Sequence, residues 1–147
     1  MADNICSPVR SRIMSSIKSK NTKPELIVRQ HLHALGFRYI LHDKRLPGKP
    51  DLVLPRYKVI IQVQGCFWHG HESCYLFKWP KSRSEFWKEK INRNIARDQL
   101  NLERLLNLGW RVLIWWECNI RDNNEFNRSL TKAINWIRGS EVYMEIR

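Results

Sequence analysis

"LPGKPDLVLPRYKVIIQVQ", residues 46–64, holds two short apolar runs separated by a few turn residues. "DLVL" and "KVIIQVQ" are rich in β-branched and aliphatic side chains and bounded by Pro and Gly, so they predict two strands joined by a short hairpin. Side chains alternate along a strand, so Val59, Ile61 and Val63 share one face while Ile60, Gln62 and Gln64 share the other. Two amides on one face predict a polar cleft. Asp51 stands after two prolines and a glycine, at the mouth of the first strand. A carboxylate there can hold Mg²⁺ against a phosphate, where the cation stabilises the charge of a pentacovalent transition state. The same aspartate is equally able to cap a turn.

Working outward, "FRYIL" predicts a strand upstream, and "WRVLIWWE", residues 110–117, is a nearly continuous apolar run suited to a strand covered on both faces. Thr22-Lys23-Pro24-Glu25 reads as a capping box opening a helix that Gly36 stops. Ser82-Arg83-Ser84-Glu85 opens a second helix of about 26 residues, with Trp87, Ile91, Ile95, Leu102, Leu105 and Leu106 at helical spacing until Gly109. Asp122 and Glu125 open a third, ending near Gly139. The order αβββαβα predicts an α/β domain, a mixed sheet with helices packed on it.

The 147 residues suit one domain over 1–147 with a single core, and a 43% hydrophobic content permits that core. No apolar run approaches the ~18 residues of a membrane span, and "MADNICSPVRSR" lacks the apolar stretch of a signal peptide, so a cytoplasmic chain is expected. Formal net charge is +12, and residues 1–50 hold ten Lys/Arg against Asp3, Glu25 and Asp43. Such an excess points to a polyanion, above all a phosphate backbone, although a basic surface also serves solubility. Residues 1–21 show no helical or strand period and read as a basic arm that orders on binding.

"GCFWHGHESC", residues 65–74, carries the densest chemistry. Cys66, His71 and Cys74 have metal-ligand spacing, and Cys118 ends the later apolar strand where it can meet them, which predicts a tetrahedral Zn²⁺ site. His69 and Cys6 are alternative ligands, and buried free thiols are the plainer reading. Phe67 and Trp68 lie between a cysteine and a histidine. Two adjacent aromatics cannot both face one core direction, so at least one is expected to be exposed, as a platform for stacking on bases. Trp79 and Trp87 suit the contact of helix with sheet.

Taken together, "RSRIMSSIKSKNTKPE", "LPGKPD", "GCFWHGH…CYLFKWP", "RSEFWKEKINRNIARD" and "LGWRVLIWWEC" resemble the very short patch repair (Vsr) DNA mismatch endonucleases over most of the chain. The layout around Asp51 also resembles the Pro-Asp…(Asp/Glu)-x-Lys nucleases, although Gln62-Val63-Gln64 offers neither the acid nor the lysine. The resemblance implies a restriction-endonuclease-like fold with one structural zinc. It also implies a Mg²⁺-dependent nick 5′ of the thymine in a T·G mismatch in double-stranded DNA. Such mismatches follow deamination of 5-methylcytosine, so a functional link to a cytosine-5 DNA methyltransferase is implied too.

Position by position, the resemblance makes Asp51 the Mg²⁺ carboxylate with the main-chain carbonyl of Val63 beside it. It makes His69 the general base, oriented by Asp98, and brings Glu25 to a metal-bound water. It assigns zinc to Cys66, His71, Cys74 and Cys118. Phe67, Trp68 and Trp87 would enter the DNA from the major groove and Met14 from the minor groove. Gln64 stands where the best-known members carry a histidine, and "HESC" contains one extra residue. A monomer is expected. A restriction-type nuclease cutting both strands, or a zinc-stabilised DNA-binding module without catalysis, are the rival readings.

Overall fold

The computed structural model describes residues 21–147. Cys6, Met14 and the arm as far as residue 20 lie outside the described residues. Helix α1, Lys23–Ala34, starts where expected: Thr22 Oγ1 accepts the Glu25 N–H at 3.4 Å, and Pro24 sits in the first turn, where its missing donor costs nothing. Only half of the capping box forms. The Glu25 carboxylate accepts instead from the Asn21 N–H at 3.2 Å and then turns inward.

Strands β1 (Ile40–Leu41), β2 (Leu52–Leu54), β3 (Val59–Gln64), β4 (Arg111–Trp116) and β5 (Tyr143–Ile146) form one sheet in the order β1-β2-β3-β4-β5. β2 runs against both its neighbours, while β3, β4 and β5 are parallel. This is the restriction-endonuclease-like mixed sheet that the sequence implied. The two faces are read off β4. Leu113 and Trp115 face a core shared with α1 and with α3 (Asn123–Ile137), and Val112, Ile114 and Trp116 face α2 (Ser84–Asn107). Burying side chains of this size contributes about 1.5–3 kcal/mol each, so a strand covered on both sides anchors the molecule.

From β3 to β4 the chain crosses by α2, and from β4 to β5 by α3. Both steps move the same way across the sheet while their helices cover opposite faces. The two crossovers therefore have opposite hand, one of them against the usual right-handed preference. Arg111 helps to hold this arrangement. Its guanidinium lies 4.5 Å from the Trp136 ring centroid and donates to the carbonyls of Trp136 (2.5 Å), Ile137 (3.0 Å) and Glu141 (2.9 Å). The orphan carbonyls at the end of α3 are thereby capped, and the turn into β5 is fixed.

Four elements differ from the sequence reading. "FRYIL" forms only a two-residue strand, with Phe37 buried ahead of it. β5 was not expected, because of its four residues only Ile146 is buried and no alternation marks it. The second helix starts at Ser84, after a left-handed Arg83 (φ 54°) with no side-chain cap, so the box expected on Ser82 does not form. Ile95, expected on the buried face of that helix, is 40% exposed. Among the described residues no helix is long and apolar enough to cross a membrane.

Candidate active site and metal centre

Strand register assembles the metal centre. Gln64 pairs with Trp116 across the parallel β3–β4 ladder, so Cys66 and Cys118 each lie two residues beyond the carboxyl ends of neighbouring strands. The intervening loop returns His71 and Cys74 to the same place. Ser73, left-handed at φ 56°, makes the turn inside the "HESC" segment just before Cys74. One ligand atom from each of Cys66, His71, Cys74 and Cys118 then lies within 4.8 Å of all the others, and His71 Nδ1 is 3.6 Å from Cys118 Sγ.

Four donors bound at 2.0–2.3 Å around one tetrahedral ion stand about 3.3–3.8 Å apart, so three thiols and an imidazole in this spacing fit zinc. Burial pushes the Cys66 and Cys118 thiols up from their ordinary range, and burial also lowers the His71 imidazole, which favours its neutral, ligating form. A dication among the thiols acts against that burial effect and favours thiolate. His71 stacks flat on Trp116 at 4.0 Å, which orients the ring.

The same loop carries His69 to α2. His69 Nδ1 is 2.6 Å from Asp98 Oδ2, and one helical turn earlier Asn94 Nδ2 donates to the Trp68 carbonyl at 2.9 Å. In the neutral tautomer with its proton on Nδ1, the ring donates to the carboxylate and carries its lone pair on Nε2. Gly70 lets the loop lie flush on the helix: it has φ 60°, and a Cβ there would come within 2.7 Å of Ile95 Cδ1 and 2.9 Å of Ile91 Cγ2. Exposed Ile95 therefore serves the loop rather than the sheet.

Asp51 closes the other side. Its Oδ2 accepts the Val63 N–H at 2.8 Å, and its own N–H donates to Gln62 Oε1 at 3.2 Å, so one amide of the expected cleft is occupied in shaping the site. The carboxyl is raised to about 7, chiefly by burial. The Val63 hydrogen bond opposes that rise, and the nearby Glu25 and Asp98 carboxylates add to it. Glu25, 1% exposed, accepts from Arg29 Nη1 at 3.0 Å and lies 2.8 Å from His42 Nε2. Asp51, Glu25, Asp98 and His69 thus gather at one end of β3. Sequence reasoning missed His42 and Asn94. Asn94 was open to detection, four residues before Asp98 on the same helix face. His42, in a short turn with no motif, carried no signal.

Phe67, Trp68 and Trp87 are all half-buried and pack edge to face or tilted, with centroids 5.4–5.7 Å apart. They belong to neither main core cluster. Around them Phe86 and Trp79 are 44% and 45% exposed. Trp79 therefore does not pack the helix on the sheet; its ring meets Phe77 edge to face at 5.0 Å instead.

Comparison with known proteins gives the family. The family model described as DNA mismatch endonuclease Vsr matches residues 2–76. The type II nicking enzyme V.XorIIP of Xanthomonas oryzae is 45% identical over 83% of this chain and 89% of its own. The type II nicking enzyme V.NmeAIP of Neisseria meningitidis is 42% identical over 94% and 98%. The DNA mismatch endonuclease Vsr of Escherichia coli is 41% identical over 99% of this chain and 94% of its own. A mixed sheet in this order, an acidic end on β3 and relatives matched over nearly their whole length place this chain in the Vsr family of DNA mismatch endonucleases.

Proposed function

We propose that the protein is a Mg²⁺-dependent endonuclease that nicks one strand of double-stranded DNA 5′ of the thymine in a T·G mismatch, with one structural zinc. The observation that carries the reading is the acidic cluster at the end of β3, where Asp51 feels both Glu25 and Asp98 while Asp98 holds His69. Asp51 and the main-chain carbonyl of Val63 would hold magnesium; in an extended strand that carbonyl leaves the backbone on the same edge as the N–H bound to Asp51. When bound, magnesium supplies Lewis-acid stabilisation of negative charge on the scissile phosphate. His69 Nε2 takes a proton from the attacking water, whose oxygen bonds to phosphorus as the P–O3′ bond breaks. The departing O3′ takes its proton from solvent. Asp98 keeps His69 in the tautomer this step needs.

Zinc at Cys66, His71, Cys74 and Cys118 fixes the loop that carries both His69 and the aromatics. Phe67, Trp68 and Trp87, joined by Met14 from the arm, act as a wedge. Unstacking a base step costs a few kcal/mol and less at a weakened pair, so a wedge selects mismatches by energy. The protein acts as a monomer of one domain in the cytoplasm, alongside a cytosine-5 DNA methyltransferase whose deaminated product it repairs.

The test compares T·G and matched duplexes of one sequence, with Mg²⁺ or chelator. Wild type is expected to nick only the thymine strand of the mismatch, and His69→Ala to lose about 10²–10⁴-fold in rate. Trp68→Ala is expected to weaken mismatch binding more than matched binding, since phosphate contacts are common to both duplexes. Cutting of both strands would support a restriction-type nuclease. Binding without any nicking would support a DNA-binding module.

A further inference from the structure

His42 takes part in none of the roles assigned above, yet it stands inside the acidic cluster. Its Nε2 is 2.8 Å from Glu25 Oε2, and single ligand atoms of Glu25, His42 and Asp51 all lie within 4.8 Å of one another. The backbone is arranged to put it there. His42 is left-handed (φ 47°), and its N–H donates to the Asp51 carbonyl at 3.1 Å, so the turn presenting the imidazole is tied to the residue presenting the carboxylate.

We propose that Glu25, His42 and Asp51 form a divalent-cation site with one nitrogen and two carboxylate ligands, which puts Glu25 in direct contact with the ion in place of the water-mediated contact the resemblance implies, and makes His42 the residue that sets the metal preference of this nuclease centre. The inference rests on the reading of Asp51 as a metal carboxylate. Donors about 2.1 Å from an octahedral ion stand about 3 Å apart along each edge, so the 2.8 Å spacing of His42 Nε2 and Glu25 Oε2 has the size of such an edge. For Nε2 to meet an ion, His42 takes the tautomer with its proton on Nδ1, by exchange with solvent and with no net proton release, and each of the two atoms then turns a lone pair to the ion. Arg29 occupies one direction on Oε2 and leaves the other. An all-oxygen site suits Mg²⁺. An imidazole ligand raises affinity for first-row transition dications, weakly for Mn²⁺ and more for Co²⁺, by the Irving–Williams order, and leaves Mg²⁺ almost unaided.

Mn²⁺ added to the zinc-loaded, DNA-free protein provides the test, because its spin-echo spectrum registers directly bonded ¹⁴N. Wild type is expected to show ¹⁴N modulation that becomes a ¹⁵N pattern after histidine labelling. His42→Gln, whose amide can still donate to Glu25, is expected to lose the modulation and to bind Mn²⁺ about tenfold more weakly, while Mg²⁺ affinity moves far less. Thermal unfolding of the variant without added metal checks that it is folded; if it is not, ¹⁴N modulation in wild type and its retention in His69→Ala decide the same question. Wild type without ¹⁴N modulation, or modulation unchanged in folded His42→Gln, overturns the proposal. T·G nicking with Mg²⁺ alongside either result leaves the proposed function standing and only this inference fallen. Mn²⁺ binding untouched by Asp51→Asn would count against both.

Discussion

At the scale of single residues, Asp51 carries a strong electrostatic tension. Its carboxyl is raised from 3.8 to about 7, with burial as the first cause. For a raised group the stabilising contribution is full below the unfolded value and is lost as pH climbs through the folded one, so stability falls between about pH 4 and pH 7 and the full loss persists above pH 7, where the folded protein holds Asp51 ionised. A shift of this size corresponds to about 4 kcal/mol when complete. Asp51→Asn, which keeps an oxygen to accept the Val63 N–H, is therefore expected to unfold at a higher temperature than wild type at pH 8 without added magnesium. The gap should close near pH 4, and saturating Mg²⁺ should narrow it by stabilising wild type alone. Calorimetry across pH checks both signs, and a variant less stable at pH 8 would refute the account. Asp51 was marked by its Pro-Asp motif, while His69 was marked as a base only through the family resemblance. His42 was not, because its place depends on a left-handed turn and on α1, seventeen residues away from Glu25 in sequence.

At the scale of elements, α2 acts as the bench on which the active loop is laid. Asn94 and Asp98 hold the loop by its Trp68 carbonyl and by His69, and Gly70 lies against the helix at Ile91 and Ile95. Gly70→Ala is expected to cost about 2–4 kcal/mol, the sum of a left-handed alanine and an overpacked contact with Ile91 and Ile95. Urea unfolding measures that loss, and a parallel nicking assay is expected to fall further than stability alone explains, since His69 moves with the loop. The helix itself was visible in the sequence by its apolar period, yet the purpose of Ile95 was not. Periodicity marks which positions meet something apolar and is silent on whether that partner is a sheet or a glycine of a passing loop. β5 was hidden for the opposite reason: an edge strand with one buried side chain carries too little pattern to read.

At the scale of the whole molecule, the Cys66–Cys118 juxtaposition fastens the two parallel strands that the α2 crossover separates. On the proposed zinc assignment, Cys118→Ser is expected to purify without zinc and to cost several kcal/mol, because metal bound only by the folded chain contributes its binding energy to folding. Metal analysis of the purified variant, with its unfolding midpoint, measures both, and a wild type folded fully without zinc would end this assignment. A mixed sheet with helices packed on it followed from the order of strands and helices, whereas the strand order and the opposite hands of the two crossovers did not, since neither leaves a mark on composition. The ligand spacing has a further consequence in time. Cys66, His71 and Cys74 fall within nine residues, while Cys118 is made 44 residues later. At about 5–20 residues per second of synthesis, the growing chain offers three ligands for about 2–9 seconds before the fourth exists. A zinc ion captured in that interval would hold the loop folded ahead of the strand it is meant to meet, and β4 would then dock onto a finished template.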